Sequence, residues 1–170
     1  LTPMDPDAAA AMHAAMADIM GLHYGVLLYA ARVDADGGAP IVIARGDFLR
    51  AEREKHPERA ELLDKRLAGN TRLQKILADP AAVEKHIGRA RDLVARLDAG
   101  LAKTQFVAAD SYSLADTFAT AALARFRLHG FEDWWQAGAN PNVARYYREV
   151  QARPSWAAAE ITDSGSEHDL

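Results

Sequence analysis

Between Leu114 and Ala124 the chain carries a single charge, Asp116, and it stands three residues after Ser113. That spacing is a capping box. The Ser113 hydroxyl accepts from a free backbone N–H of the first turn, while the Asp116 carboxylate reaches back to the N–H of Ser113. The residues behind the box are apolar on every side, so the helix they form has to be surrounded by other elements. A chain built round such a helix must supply several packing partners, and the rest of this sequence offers helices. The longest alternating stretch is Ala39–Ile43, too short for a sheet. The expected class is all-α.

Asp5-Pro6 reads as a helix start, with Asp as N-cap and Pro in the first turn. A nearly all-round apolar helix is predicted from there to about Val33, where the Gly- and Asp-rich residues 34–40 stop it. Residues 45–56 and 58–77 read as charged helices with sparse apolar positions. Asp79-Pro80 opens a cleaner one, in which Val83, Ile87, Ala90, Val94, Leu97 and Leu101 recur every three or four residues. Asn140-Pro141 starts a last helix with Val143, Tyr146, Tyr147 and Val150 inward, and Pro154 is expected to end it. Trp134 and Trp135 are expected to seal the end of the core. The sequence thus predicts one helical domain over residues 1–161, with a charged helical insert at 45–78 and a flexible polar tail at 162–170.

Charge and composition exclude several classes of function. The middle of the chain, residues 41–104, holds fourteen bases against ten acids with the signs interleaved, which is a solvated helix face rather than a phosphate-binding patch. No nucleic-acid partner is expected. The longest apolar run, Ile19 to Ala31, is 13 residues, short of a bilayer span, so no membrane partner is expected either. Asp5 and Asp7 stand where a secretory signal would be basic, and cysteine is absent, which suits the cytoplasm. The six histidines lack the i,i+4 or Glu-x-x-His spacing that puts two ligands on one helical face, and no metal site is expected.

Several residues admit two readings. At 100° per residue His13, Met20, Tyr24 and Leu27 share one face of the first predicted helix, with Met16 at its edge. They are either core packing or the wall of an apolar pocket, with adaptable methionines and a few polar handles. Asp18, Gly21, Gly25 and Arg32 lie on another face, where close helix approach serves either internal packing or a two-fold dimer. Arg125 and Arg127 interrupt the capped helix near its C-terminal end, where the helix dipole favours cations; Arg125 could instead point at a cleft. Ser113 and Asp116 are read as a structural cap, not a hydrolytic pair.

The segment from Gln105-Phe106-Val107 through the box to Arg153-Pro154-Ser155 resembles the helical C-terminal domain of glutathione transferases. Leu1-Thr2-Pro3-Met4-Asp5-Pro6 resembles the interdomain linker and the start of that domain's first helix. Leu123-Ala124-Arg125, the following Trp, Pro141 to Tyr147 and the charged insert resemble the tetrachlorohydroquinone reductive dehalogenase and ganglioside-induced differentiation-associated branch. The resemblance implies a helical bundle of that type, a homodimer, and an apolar, aromatic electrophile as the small-molecule partner, bound along His13, Met16, Met20, Tyr24 and Arg125. It implies glutathione as co-substrate, held mainly by a thioredoxin-like N-terminal domain that this stretch does not contain. No catalytic residue is then expected here, and the chain alone should be inactive. The alternative is a non-catalytic glutathione-transferase-like module for protein–protein contact.

Overall fold

A computed structural model describes residues 1–34, 38–136 and 138–159. Every regular element among them is helical. In chain order they are α1 (Pro6–Met20), α2 (Tyr24–Tyr29), α3 (Pro40–Lys55), α4 (Ala60–Leu77), α5 (Pro80–Leu101), α6 (Leu114–Leu128), α7 (Pro141–Gln151) and α8 (Pro154–Ala158). No single described helix is long and apolar enough to cross a membrane. The chain forms two compact units: residues 1–22 together with the described residues from 89 onward, and residues 23–88. The predicted insert 45–78 falls inside the second unit, which is wider at both ends; the predicted tail 162–170 lies outside the described residues.

In the first unit α6 is the axis. Ala115, Ala119, Ala122, Leu123 and Phe126 are buried, and α1 packs along them through Met12 and Ile19. Small alanines let neighbouring backbones come close, so a helix with no polar face fits among others. The capping box is present at its start, with Ser113 extended at φ −128°, ψ −179°. Asp116 Oδ2 accepts from Ser113 N at 2.8 Å and from Ser113 Oγ at 2.9 Å. Oδ1 accepts from Val107 N at 2.9 Å, tying down the preceding loop. The other end is a Schellman motif: Phe131 N donates to Phe126 O at 2.9 Å and Gly130 N to Arg127 O at 3.0 Å. Gly130 takes the left-handed φ of 80° that this stop requires and that side-chain-bearing residues avoid.

α5 and α7 are locked at their ends. Asp98 accepts from Asn142 N at 2.7 Å and Val143 N at 3.0 Å, which satisfies the free N–H groups at the start of α7. In return Arg145 Nη2 donates to Leu101 O, the end of α5, at 3.0 Å. Of the predicted α5 stripe Ala90, Val94, Leu97 and Leu101 are buried, joined by Leu93, while Val83 and Ile87 are half-buried; on α7 Val143, Tyr146, Tyr147 and Val150 are all buried. Trp135 is buried edge-on to Tyr147 with centroids 5.6 Å apart, and half-buried Trp134 stacks on Phe131 at 4.5 Å.

The second unit is an α3–α4 hairpin with α2 packed on α4. Val26, Ala39, Val42, Leu73 and Leu77 form its core, with Tyr29, Ile76 and Val83 against them. Asn70 Nδ2 and Gln74 Nε2 both donate to Val42 O, at 2.9 and 3.3 Å, and Gln74 Nε2 also donates to Asn70 Oδ1 at 2.8 Å. This bridge lets the two helices approach at Gly46. A Cβ there would meet Asn70 Oδ1 at 2.8 Å.

Three expectations need correction. The first helix is not continuous to Val33: α1 ends at Met20, His23 leaves helical space at φ −91°, ψ 78°, and α2 restarts at Tyr24. An all-round apolar pattern says nothing about continuity, and glycine at 21 and 25 weakens the helix by about 1 kcal/mol each relative to alanine. Pro40 opens α3 rather than standing in the break, and Pro154 opens the short α8 as well as following α7. Proline suits a first helical turn because its missing N–H would be unpaired there anyway.

Ser113→Ala should lower stability by about 1 kcal/mol, the usual loss for a cap. Asp116→Ala should cost more, because the N–H groups of Ser113 and Val107 would be left without acceptors. Denaturant midpoints of the two variants check the order; equal midpoints would remove the carboxylate from its central place. Gly46→Ala should destabilise the hairpin unit despite the better helix propensity of alanine, read in the same melts.

Candidate functional site

The residues predicted to line a pocket are distributed as follows. On α1 the buried stripe is Met12 and Ile19. His13 and Met20 lie about 80–100° round the helix from Met12, and both are exposed, Met20 at 58%. Met16 stands between the stripes, half-buried. His13 and Met20 are therefore surface residues and not core. Tyr24 and Leu27 lie beyond the break, in α2 and in the other unit, Leu27 buried and Tyr24 half-buried. Arg125 is exposed on the last turn of α6, whose C-terminal end it complements in charge. The structure thus groups His13, Met16 and Met20 on one helix.

The glycine face also resolves. A Cβ on Gly25 would meet Leu73 Cδ2 at 3.2 Å, so Gly25 serves close packing of α2 on α4 within the second unit. Asp18 instead forms an ion pair with Arg96 of α5 at 3.1 Å, with both partners more than half exposed. Such a pair adds little stability.

The polar centre of the first unit is Asp116 with Tyr146. The Tyr146 hydroxyl donates to Asp116 O at 3.3 Å, and both residues are fully buried. Burial, reinforced by the neighbouring Asp116 charge, pushes the phenol far above its ordinary value. Nothing there makes Tyr146 or Asp116 a proton-transfer pair: the carboxylate is occupied by three donors and has no open side for a substrate.

Open space lies elsewhere. A groove of about 450 Å³ runs between the N-terminal residue, α6 and α8, lined among others by Tyr112, Thr117, Val150, Arg153, Ser155 and Trp156. A second cavity, about 730 Å³, sits between the end of α6 and α7, with Arg127, Trp135, Tyr147 and Arg148 in its wall. In it Arg127 is paired with Glu132 at 3.3 Å. None of the five sequence-predicted pocket residues lines either space. Sequence reasoning missed the groove because its two sides, Tyr112 and Arg153, are 41 positions apart and only the fold joins them.

Residues 80–149 match the family model "Glutathione S-transferase, C-terminal domain", a helical fold, as every regular element among the described residues is helical. Among curated proteins the chain is similar to the tetrachloro-p-hydroquinone reductive dehalogenase of Sphingobium chlorophenolicum, 28% identical over 127 residues, covering 73% of this chain and 49% of that protein. The chain spans about half the length of this curated relative. No solved structure matches significantly. The matched stretch holds α5, the capped α6 and nearly all of α7, the elements joined through Asp116 and Asp98.

The raised Tyr146 value has a consequence for stability. The folded state disfavours the phenolate, so this contribution is intact below the unfolded tyrosine value of about 10 and is lost as pH rises above it. Thermal melts from pH 8 to 11.5 should show destabilisation setting in above about pH 10. Tyr146→Phe should flatten that limb, and an unchanged limb would dissociate it from Tyr146.

Proposed function

We propose that this chain is the C-terminal, substrate-side domain of a glutathione-transferase-type enzyme that joins glutathione to, or reductively dehalogenates, an apolar aromatic electrophile. The observation that carries the reading is the outward pair His13 and Met20 on α1, with half-buried Met16 at their edge, in a chain whose residues 80–149 match that family. Exposed methionine beside a histidine gives an adaptable apolar wall with a polar handle. Tyr24 and Arg125 would contribute only where the assembled cleft reaches them. Glutathione itself does not fit the residues present. The described residues form no strand edge with which an extended peptide could pair, and the chain contains no cysteine. Its binding and thiol activation are assigned to a domain outside these residues, and no chemical step is assigned to this chain. A homodimer in the cytoplasm completes the proposal.

A second reading, a non-catalytic contact module, is favoured by Ile43, Phe48 and Leu62 on the α3–α4 hairpin, which are large, apolar and 43–61% exposed.

Titration with 1-chloro-2,4-dinitrobenzene, a neutral chlorinated aromatic, distinguishes the two. Weak binding is expected, reduced several-fold by Met20→Ala, since roughly 1 kcal/mol of apolar contact is lost. Conjugation with added glutathione should be absent. Turnover by the 170-residue chain would overturn the placement of the thiol site outside it. Binding that ignores both His13→Ala and Met20→Ala would remove α1 as the wall and favour the contact module.

A further inference from the structure

The Arg153-Pro154-Ser155 stretch takes no part in the α1 site, and neither does Tyr112, yet the fold sets them face to face. Proline disfavours helical backbone in the residue before it, and Arg153 is extended at φ −72°, ψ 141° as the N-cap of α8. Tyr112 immediately precedes the N-cap of α6 and is steadied by Phe106, edge-on with centroids 5.6 Å apart. Two helix starts therefore deliver a cation and a ring to the same place. The Arg153 guanidinium carbon lies 4.4 Å from the centroid of the Tyr112 ring. Trp156, one turn into α8, is held by Tyr147 at 5.6 Å and forms another wall with Val150 and Ala121.

The electrostatics of this groove are one-sided. Arg50, Arg53, Arg96, Arg127 and Arg145 each pair with a carboxylate. Arg153 makes no ion pair with a described residue, and among the described residues no Asp or Glu lines the groove. A guanidinium resting over an aromatic face keeps its edge N–H donors free, in the planar fork that fits a carboxylate with two parallel hydrogen bonds. Thr117, Thr120 and Ser155 are the neutral aliphatic-hydroxyl side chains at hand, and the other lining residues besides Arg153 are aromatic or aliphatic. Arg153 is the one charged side chain among the described lining residues, and a single guanidinium beside mostly apolar walls suits a ligand with one negative charge on an apolar body, whereas a polyanion would leave charge unpaired. The volume, about 450 Å³, is in the range of pockets for one- or two-ring molecules.

We infer that the Tyr112–Arg153–Trp156 groove is a binding site for a small aromatic carboxylate, separate from the α1 wall. The carboxylate sits on the edge of Arg153, and the ring lies among Trp156, Val150 and Ala121. The site needs no glutathione and no residue of α1, so it stands or falls independently of the function proposed above.

The test titrates the full chain with naphthalene-2-carboxylate and with its neutral amide, followed by calorimetry and tryptophan fluorescence. The acid is expected to bind at least tenfold more tightly than the amide and to change Trp156 emission, with affinity falling as salt rises. Arg153→Gln should abolish that preference, Arg153→Lys should restore it in part, and Tyr112→Phe should keep it. Equal affinity for acid and amide in the unaltered chain would overturn the assignment without recourse to any variant. So would full binding by a folded Arg153→Gln protein.

Discussion

One carboxylate organises the first unit. Asp116 is fully buried, and a buried charge is tolerated only where hydrogen bonds replace the water it lost. Three donors do so here: the Ser113 N–H, the Ser113 hydroxyl and the Val107 N–H. Together they fix two objects. The first two set where α6 begins, and the third fixes the loop leading from α5 into it. Just upstream, Leu114 N donates to the Leu1 carbonyl at 3.1 Å, so the chain's first residue is held at the same helix start. The position of α6 among α1, α5 and α7 follows from this node, because an apolar helix has no directional contact of its own to set its height along its axis. The Asp98 cap on α7 does the same for the α5–α7 pair, and the Arg145 bond to Leu101 O closes it from the other side.

Much of this could be read directly from the residues. Capping chemistry is local, so Ser113, Asp116, Asp5 and Asp79 marked their helix starts. Ala81 N and Ala82 N indeed reach Asp79 Oδ1 at 3.0 and 3.2 Å, and Ala8 N reaches Asp5 Oδ1 at 2.8 Å. Amphipathic stripes on α5 and α7 also identify their own buried faces. Legibility failed where the pattern lost its contrast. Residues 6–33 are nearly all-round apolar, and a hydrophobic count cannot see a break at Gly21–His23. For the same reason it could not say which side of α1 faces inward. The answer, Met12 and Ile19 rather than His13 and Met20, is set by what α6 presents to it.

The groove was illegible for a different reason. Tyr112 and Arg153 each have an ordinary local explanation, one as the residue before a cap and the other as the residue before a proline. Their meeting depends on the lengths of α6 and α7 and on the Schellman stop at Gly130, none of which alters the local pattern at either residue. Gly25 is the converse case. Its spacing from Gly21 suggested a contact between copies, and Leu73 accounts for it within the unit.

These constraints determine where chemistry can be accommodated in such a bundle. The buried face of α6 is closed, although Thr117 and Ala121 on its other side are exposed, and a polar group introduced on that buried face would need its own set of partners, as Asp116 has. The helix ends differ: each start exposes unpaired N–H groups and an adjacent extended residue whose side chain is not committed to the core. Tyr112 and Arg153 occupy such positions. The outward stripes of the surrounding helices are the other free surface, and His13 and Met20 occupy one of those. Substitutions at α1 or in the α6–α8 groove, the two surfaces proposed above for ligands, can therefore be made while the Asp116 and Asp98 nodes stay fixed. Changes at either surface should affect ligand affinity far more than stability, whereas changes at the nodes should do the reverse.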